Sequence, residues 1–73
     1  EEHKYEVVCT ASLEKFEALE RTFRDCGLRI QSRSQVKQGE VMTCAWHASG
    51  SPSKHALLRS KLFDDPEIRE LHC

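Results

Sequence analysis

The sequence contains no Cys-x-x-Cys pair, no cluster of basic residues, and no apolar run near the roughly 20 residues that a membrane-spanning helix needs. Each gap removes a class of function. Zinc ribbons and copper carriers depend on closely spaced thiols, whereas Cys9, Cys26, Cys44 and Cys73 lie 17, 18 and 29 residues apart. Scattered among Val, Leu and Ile, they read as buried thiols in a reducing compartment, with a disulfide framework as the next reading and a metal site behind it. Nucleic-acid modules rest their affinity on clustered Lys and Arg. Here 11 basic residues are interspersed with 12 acidic ones for a formal net charge of −1, so no nucleic-acid partner is expected. A basic start followed by an apolar segment, the mark of a secretory signal, is missing. So is an initiator methionine before Glu1-Glu2-His3, and the chain is expected to be a piece of a longer protein whose targeting and membrane segments lie elsewhere. There is no repeat and no low-complexity stretch.

What is present fits one small domain over residues 1–73. At 38% hydrophobic and 32% charged, the composition is that of a globular piece rather than a disordered tail. A domain of this size buries only about 60% of the surface its unfolded chain exposes. The core is therefore thin, with little space for a deep pocket.

Hydrophobic period orders the chain into six elements. Lys4–Thr10 alternates with Tyr5, Val7 and Cys9 on one side, a strand pattern, and Val8 on the second side suggests a central position. Ser12 is a helix cap ahead of Leu13, Phe16, Leu19, Phe23 and Cys26, which form one helical stripe. Gly27 supplies the left-handed residue that ends the helix. Leu28–Lys37 alternates Leu28, Ile30, Ser32, Ser34 and Val36 against Arg29, Gln31, Arg33, Gln35 and Lys37, and its polar far half suits an edge strand. A Gln38-Gly39 turn leads into Glu40–Ala48, with Met42, Cys44 and Trp46 on one face and Val41, Thr43, Ala45 and His47 on the other. Ser51 and Pro52 open a second helix with Leu57, Leu58 and Leu62 as its apolar stripe, stopped by Asp64-Asp65-Pro66. Ile68–Cys73 returns as the last strand.

The order β-α-β-β-α-β is the α+β, ferredoxin-like or ACT-like arrangement: a four-stranded antiparallel sheet with both helices on one face. Right-handed crossovers put the first and third strands at the centre. The buried face is then expected to hold Tyr5, Val7, Cys9, Leu28, Ile30, Met42, Cys44, Trp46, Leu71 and Cys73.

No constellation points to catalysis. No nucleophile sits on an identifiable elbow or helix N-terminus, and Cys44 falls mid-strand on the core face, where burial makes a thiol inert. His47, His55, His72 and Cys73 lack metal-ligand spacing, so neither a metal nor a cofactor is assigned. Asp64, Asp65, Glu67 and Glu70 read as a solvated loop, since surface carboxylates alone hold Mg²⁺ weakly. The turn Thr10-Ala11-Ser12-Leu13 has no glycine to admit a ligand to the backbone, which weighs against amino-acid sensing. The sheet face away from the helices is more suggestive. Val8, Thr10, Val41, Thr43 and Ala45 form its centre, flanked by Lys4, Glu6, Arg33 and His47. Small and β-branched residues ringed by charge suit an interaction face made of Val8, Val41, Thr43 and Ala45. The same pattern also fits an ordinary solvent-facing sheet, and both readings stay open here.

The segment EALERTFRDCGLRIQSRSQVKQGEVMTCAWH, followed by LLRSKLFDDPEIREL, resembles the C-terminal domain of the MgtC/SapB family of bacterial inner-membrane proteins. The shared features are a helix ending in Gly, a Leu-x-Ile strand, a polar hairpin, a second helix and a closing Asp-Pro-x-Ile-Arg-x-Leu, and they cover nearly the whole chain. The resemblance implies a non-catalytic, ACT-like regulatory domain on the cytoplasmic side of the inner membrane, reaching the membrane only through an N-terminal multi-pass half. It also implies a link to growth in low magnesium and to virulence. The implied partner is another protein, the domain's own membrane half, or a second copy in a homodimer. The family's signature polar residues lie in the membrane half, so no functional residue carries over. A ligand-sensing ACT domain and a metal-handling ferredoxin-like domain are the alternatives.

Overall fold

In the computed structural model, which describes all 73 residues, the chain forms β1 (Glu2–Thr10), α1 (Leu13–Asp25), β2 (Arg29–Gln38), β3 (Val41–Ser49), α2 (Pro52–Phe63) and β4 (Ile68–His72). The four strands make one antiparallel sheet in the order β2-β3-β1-β4. The expected α+β order, the expected central strands and the ACT-like architecture are all present.

Local chemistry explains the boundaries. The Ser12 side chain accepts from the Lys15 amide at 3.1 Å and so caps α1. At the other end Gly27 adopts φ +85°, its amide donates to Arg24 O, and the Leu28 amide reaches back to Phe23 O. These are the two bonds of a Schellman stop, which needs a residue without a Cβ penalty at this position. The β2–β3 hairpin turns on Gly39, at φ +62°, with Glu40. Ser51 occupies the cap position of α2, but its hydroxyl bonds Ser53 Oγ rather than a helix amide.

Alternate residues of β1 and β3 are buried against the helices: Tyr5, Val7 and Cys9 with Met42, Cys44, Trp46 and Ala48. Leu19 and Phe23 of α1 and Leu58 and Leu62 of α2 close over them, with Cys26 and Leu28 at the margin. Trp46 is the hub, stacked on Phe16 at 5.4 Å and packed against Phe23 at 4.9 Å between ring centroids.

Several expected core positions are corrected. Leu13 is 73% exposed, because the first residue of α1 lies beyond the edge of the stripe. Leu57 is 48% exposed on the outer side of α2, and His55, one turn before Leu58, takes the inward position. Ile30 and Leu71 are only half-buried against the core. Cys73 is exposed, since the β1–β4 ladder ends at the Glu6–His72 pair and nothing covers the residue beyond it.

Candidate functional site

The sheet has one finished side and one bare side. On the bare side, cross-strand partners line up in rows across β2, β3 and β1. Val36 stands opposite Thr43 and Thr43 opposite Val8; Ser34, Ala45 and Glu6 form a second row, and Gln38, Val41 and Thr10 a third. Directly opposed residues in an antiparallel pair share a face, so Val8, Val41, Thr43 and Ala45 do form one patch. Each is half-buried by its neighbours alone.

Two bulges alter the edges of this patch from what alternation predicts. In β2 the register shifts between Ile30, opposite Ala48, and Ser32, opposite His47, leaving Gln31 as the extra residue. An extra residue inverts the phase of everything after it. Ser32, Ser34 and Val36 therefore turn to the bare side, while Arg33, Gln35 and Lys37 turn to the helix side. Arg33, expected to flank the patch, leaves it. Val36, expected on the helix side, joins it at 55% exposure. In β4 the shift between Cys9–Ile68 and Val8–Glu70 makes Arg69 the extra residue, and its Nη2 donates to Thr10 Oγ1 at 3.2 Å. Ile68 and Leu71 both still reach the core.

The bare face is consequently divided. Its β2–β3 half carries Ser32, Ser34, Val36, Val41, Thr43 and Ala45, with His47 at the margin. Its β1–β4 half is charged, with Lys4, Glu6, Arg69 and Glu70, and His72 sits 3.3 Å from Glu70.

The helix side spends its polar groups internally. Arg33 Nε donates to Glu20 Oε2 at 2.5 Å, and Trp46 Nε1 donates to the same oxygen at 2.9 Å. The Arg33 contact depends on the β2 phase shift. Lys15 Nζ bridges Asp65 at 2.6 Å and Glu67 at 2.9 Å, clipping the start of α1 to the loop before β4. Burial acts to raise the Asp65 pKa, but the Lys15 ammonium and the Glu67 amide outweigh it, and the net shift is downward. Lys15 thus engages two of the four carboxylates around this loop, Asp65 and Glu67, with one positive charge between them.

The histidines and cysteines do not converge. His47 lies 3.8 Å from Glu2 on the bare side, His72 is exposed, and no cluster of three metal-ligating side chains forms. His55 is fully buried: its Nε2 faces the Glu1 carbonyl at 3.0 Å and its Nδ1 faces the Tyr5 hydroxyl at 2.5 Å. A carbonyl only accepts, so Nε2 carries the proton and Tyr5 donates to Nδ1. Sequence reasoning missed this pair, although the i, i+3, i+7 spacing of His55, Leu58 and Leu62 marked it. Cys9 and Cys44 are diagonal neighbours in the core. Burial raises the Cys9 thiol and pushes the Cys44 thiol up to about 12, which leaves both unreactive as nucleophiles.

No protein-family model matches the chain, and a search of the curated proteins finds no match. Solved structures share its fold. The ACT domain from the GTP pyrophosphokinase of Chlorobium tepidum superposes with a TM-score of 0.78 at 11% identity, over 97% of this chain and 94% of that one. The C-terminal domain of the MgtC protein from Mycobacterium tuberculosis gives 0.72 at 17% identity, over 97% and 82%. A protein assigned as a glycine cleavage system transcriptional repressor gives 0.77 at 21% identity over 84% of this chain, which spans only 36% of that longer one. At these identities the likeness is one of fold, and the fold is ACT-like.

Proposed function

We propose that the chain is a regulatory ACT-like module, without catalytic activity of its own, that works by docking another protein surface on the bare face of its sheet. The observation that supports this is the division of the sheet: a core closed by both helices on one side, and Val8, Val36, Val41, Thr43 and Ala45 left uncovered on the other. The fold shared with domains named as parts of a GTP pyrophosphokinase and of MgtC supports a service role within a longer protein. The MgtC likeness, together with Asp65-Pro66 and the Ile68-Arg69 pair that follow α2, supports an accessory domain of an MgtC/SapB-type membrane protein. In that setting the domain lies on the cytoplasmic side of a bacterial inner membrane, with a role in growth at low magnesium and in virulence. Its partner is its own membrane half, another protein, or a second copy.

The test is a charge placed in the patch. Ala45→Glu and Val41→Lys should fold normally and lose attachment, because an unpaired charge at an interface is costly. Sedimentation of the isolated chain and co-purification with the full-length protein measure this. Unfolding of both variants would show that the face is core. Normal folding with unchanged association and unchanged growth at low magnesium would remove the docking role.

A second reading has one observation in its favour. An open hollow of about 370 Å³ lies beside the β1–α1 turn, lined by Ala11, Ser12, Leu13, Gln35, Lys37 and Met42. An amino-acid sensor would use it, and saturable amide shifts at Ala11–Leu13 on titration with amino acids would establish that reading instead.

A further inference from the structure

The outer side of α2 differs from the rest of the surface. The charged residues of this helix are Lys54, Arg59 and Lys61, all exposed and set along its two flanks, and Pro52–Phe63 contains no carboxylate. The chain as a whole is at −1, so every other residue together carries −4 against the +3 of this one helix. None of the three cations forms an ion pair; the salt bridges of the molecule all lie elsewhere. The Lys54 stem lies across Gly27, where a Cβ would come within 3.1 Å of it.

The same helix carries two of the four large apolar side chains that the molecule exposes, Leu57 at 48% and Phe63 at 81%. Helical geometry at 3.6 residues per turn sets His55, Leu58 and Leu62 inward. It places Ala56, Leu57 and Ser60 outward, with Lys54 and Lys61 on one flank and Arg59 and Phe63 on the other. Negative charge borders this surface at its Phe63 end, where Asp64 caps the helix and Asp65, paired with Lys15, lines one hollow with Phe63.

We infer that the outer face of α2 is a docking surface for an anionic lipid bilayer. Unpaired cations fit anionic headgroups, and long Lys and Arg stems reach the headgroup plane while Leu57 and Phe63 enter the acyl boundary. A nucleic acid would use the charges and leave the two apolar side chains unexplained, and an acidic protein partner would leave vesicles unbound. The surface lies on the opposite side of the sheet from the proposed protein-docking face, so the two are independent.

The probe is vesicle flotation of the 73-residue chain with phosphatidylcholine alone or mixed with an equal part of phosphatidylglycerol. The chain should float with the anionic vesicles only and be released in about 1 M salt, where the Debye length is about 3 Å. Each of Lys54→Gln, Arg59→Gln and Lys61→Gln should cut partitioning about five-fold, and Phe63→Ser about ten-fold, with native circular dichroism retained. Absence of binding to anionic vesicles at low salt overturns the inference. So does binding that ignores Phe63→Ser and is matched by heparin, which would mark a general polyanion surface. Loss of vesicle binding in Ala45→Glu would move the lipid contact to the bare sheet and likewise overturn it.

Discussion

Val36 stands directly opposite Thr43 across the β2–β3 ladder, on the side of the sheet that neither helix covers. Its position follows from the one-residue bulge at Gln31, and the same bulge delivers Arg33 to Glu20. Substitutions at the two sites should therefore differ. Val36→Lys meets water and should move stability by about 0.5 kcal/mol or less. Arg33→Ala leaves the mostly buried Glu20 carboxylate with Trp46 alone and should cost about 1 kcal/mol, discounted because the Arg33 side chain is half exposed. Urea midpoints of the two variants measure this. A larger loss for Val36→Lys than for Arg33→Ala would mean that β2 keeps a single phase.

The cysteines should separate by accessibility. Cys9 and Cys44 are at 0% exposure, with thiols that burial raises, whereas Cys73 is open to solvent. A maleimide added to the native chain should label Cys73 within the first phase, leave Cys9 and Cys44 untouched, and reach all of them only in denaturant. Rapid native labelling of Cys9 or Cys44 would show that the sheet presents its other side to the helices.

Acid should weaken the clip between α1 and the loop before β4. The Asp65 pKa is held below its ordinary 3.8, with burial opposing and the Lys15 ammonium and Glu67 amide prevailing. A carboxyl with a lower pKa when folded binds fewer protons in the folded state. Its contribution is fully present above the unfolded value and disappears as pH falls through the folded one. Between neutrality and about pH 4 the contribution should be constant, and it should fade below that. In Asp65→Asn this part of the acid limb should be flatter, as read from urea midpoints against pH. An identical limb in the variant would mean that the Lys15 contact contributes nothing to stability.

Much of the fold was legible because its signals are local. The Ser12 cap, the Gly27 stop and the alternation of Tyr5, Val7 and Cys9 are set by neighbouring residues, and the order of six elements then leaves few topologies. The phase of β2 was not legible. Beyond Ile30 both of its sides are polar, so no hydrophobic pattern fixes the register, and a bulge costs the sequence no visible signature. Arg33 and Val36 were exchanged between faces for that reason. The central patch of Val8, Val41, Thr43 and Ala45 was placed together correctly because β1 and β3 pair without a bulge. His55 went unnoticed as core because its burial depends on the Tyr5 hydroxyl and the Glu1 carbonyl, partners some fifty residues away. Cys73 was misplaced because alternation alone does not say where a ladder stops.

The place of β1 at the centre of the sheet also has a consequence in time. Its nearest pairing in sequence, Thr10 with Val41, closes a gap of 31 residues, and its pairing of Glu6 with His72 closes one of 66. By contrast, α1 and the β2–β3 hairpin are built from contacts within short stretches. Non-local pairing comes at a larger loop-closure cost. The strand of this domain that is synthesised before the other three is thus the last to be enclosed, waiting for β4 to arrive on its free edge. Until then Tyr5, Val7 and Cys9 remain without their final neighbours, and this interval sets when the newborn chain is most open to mispairing.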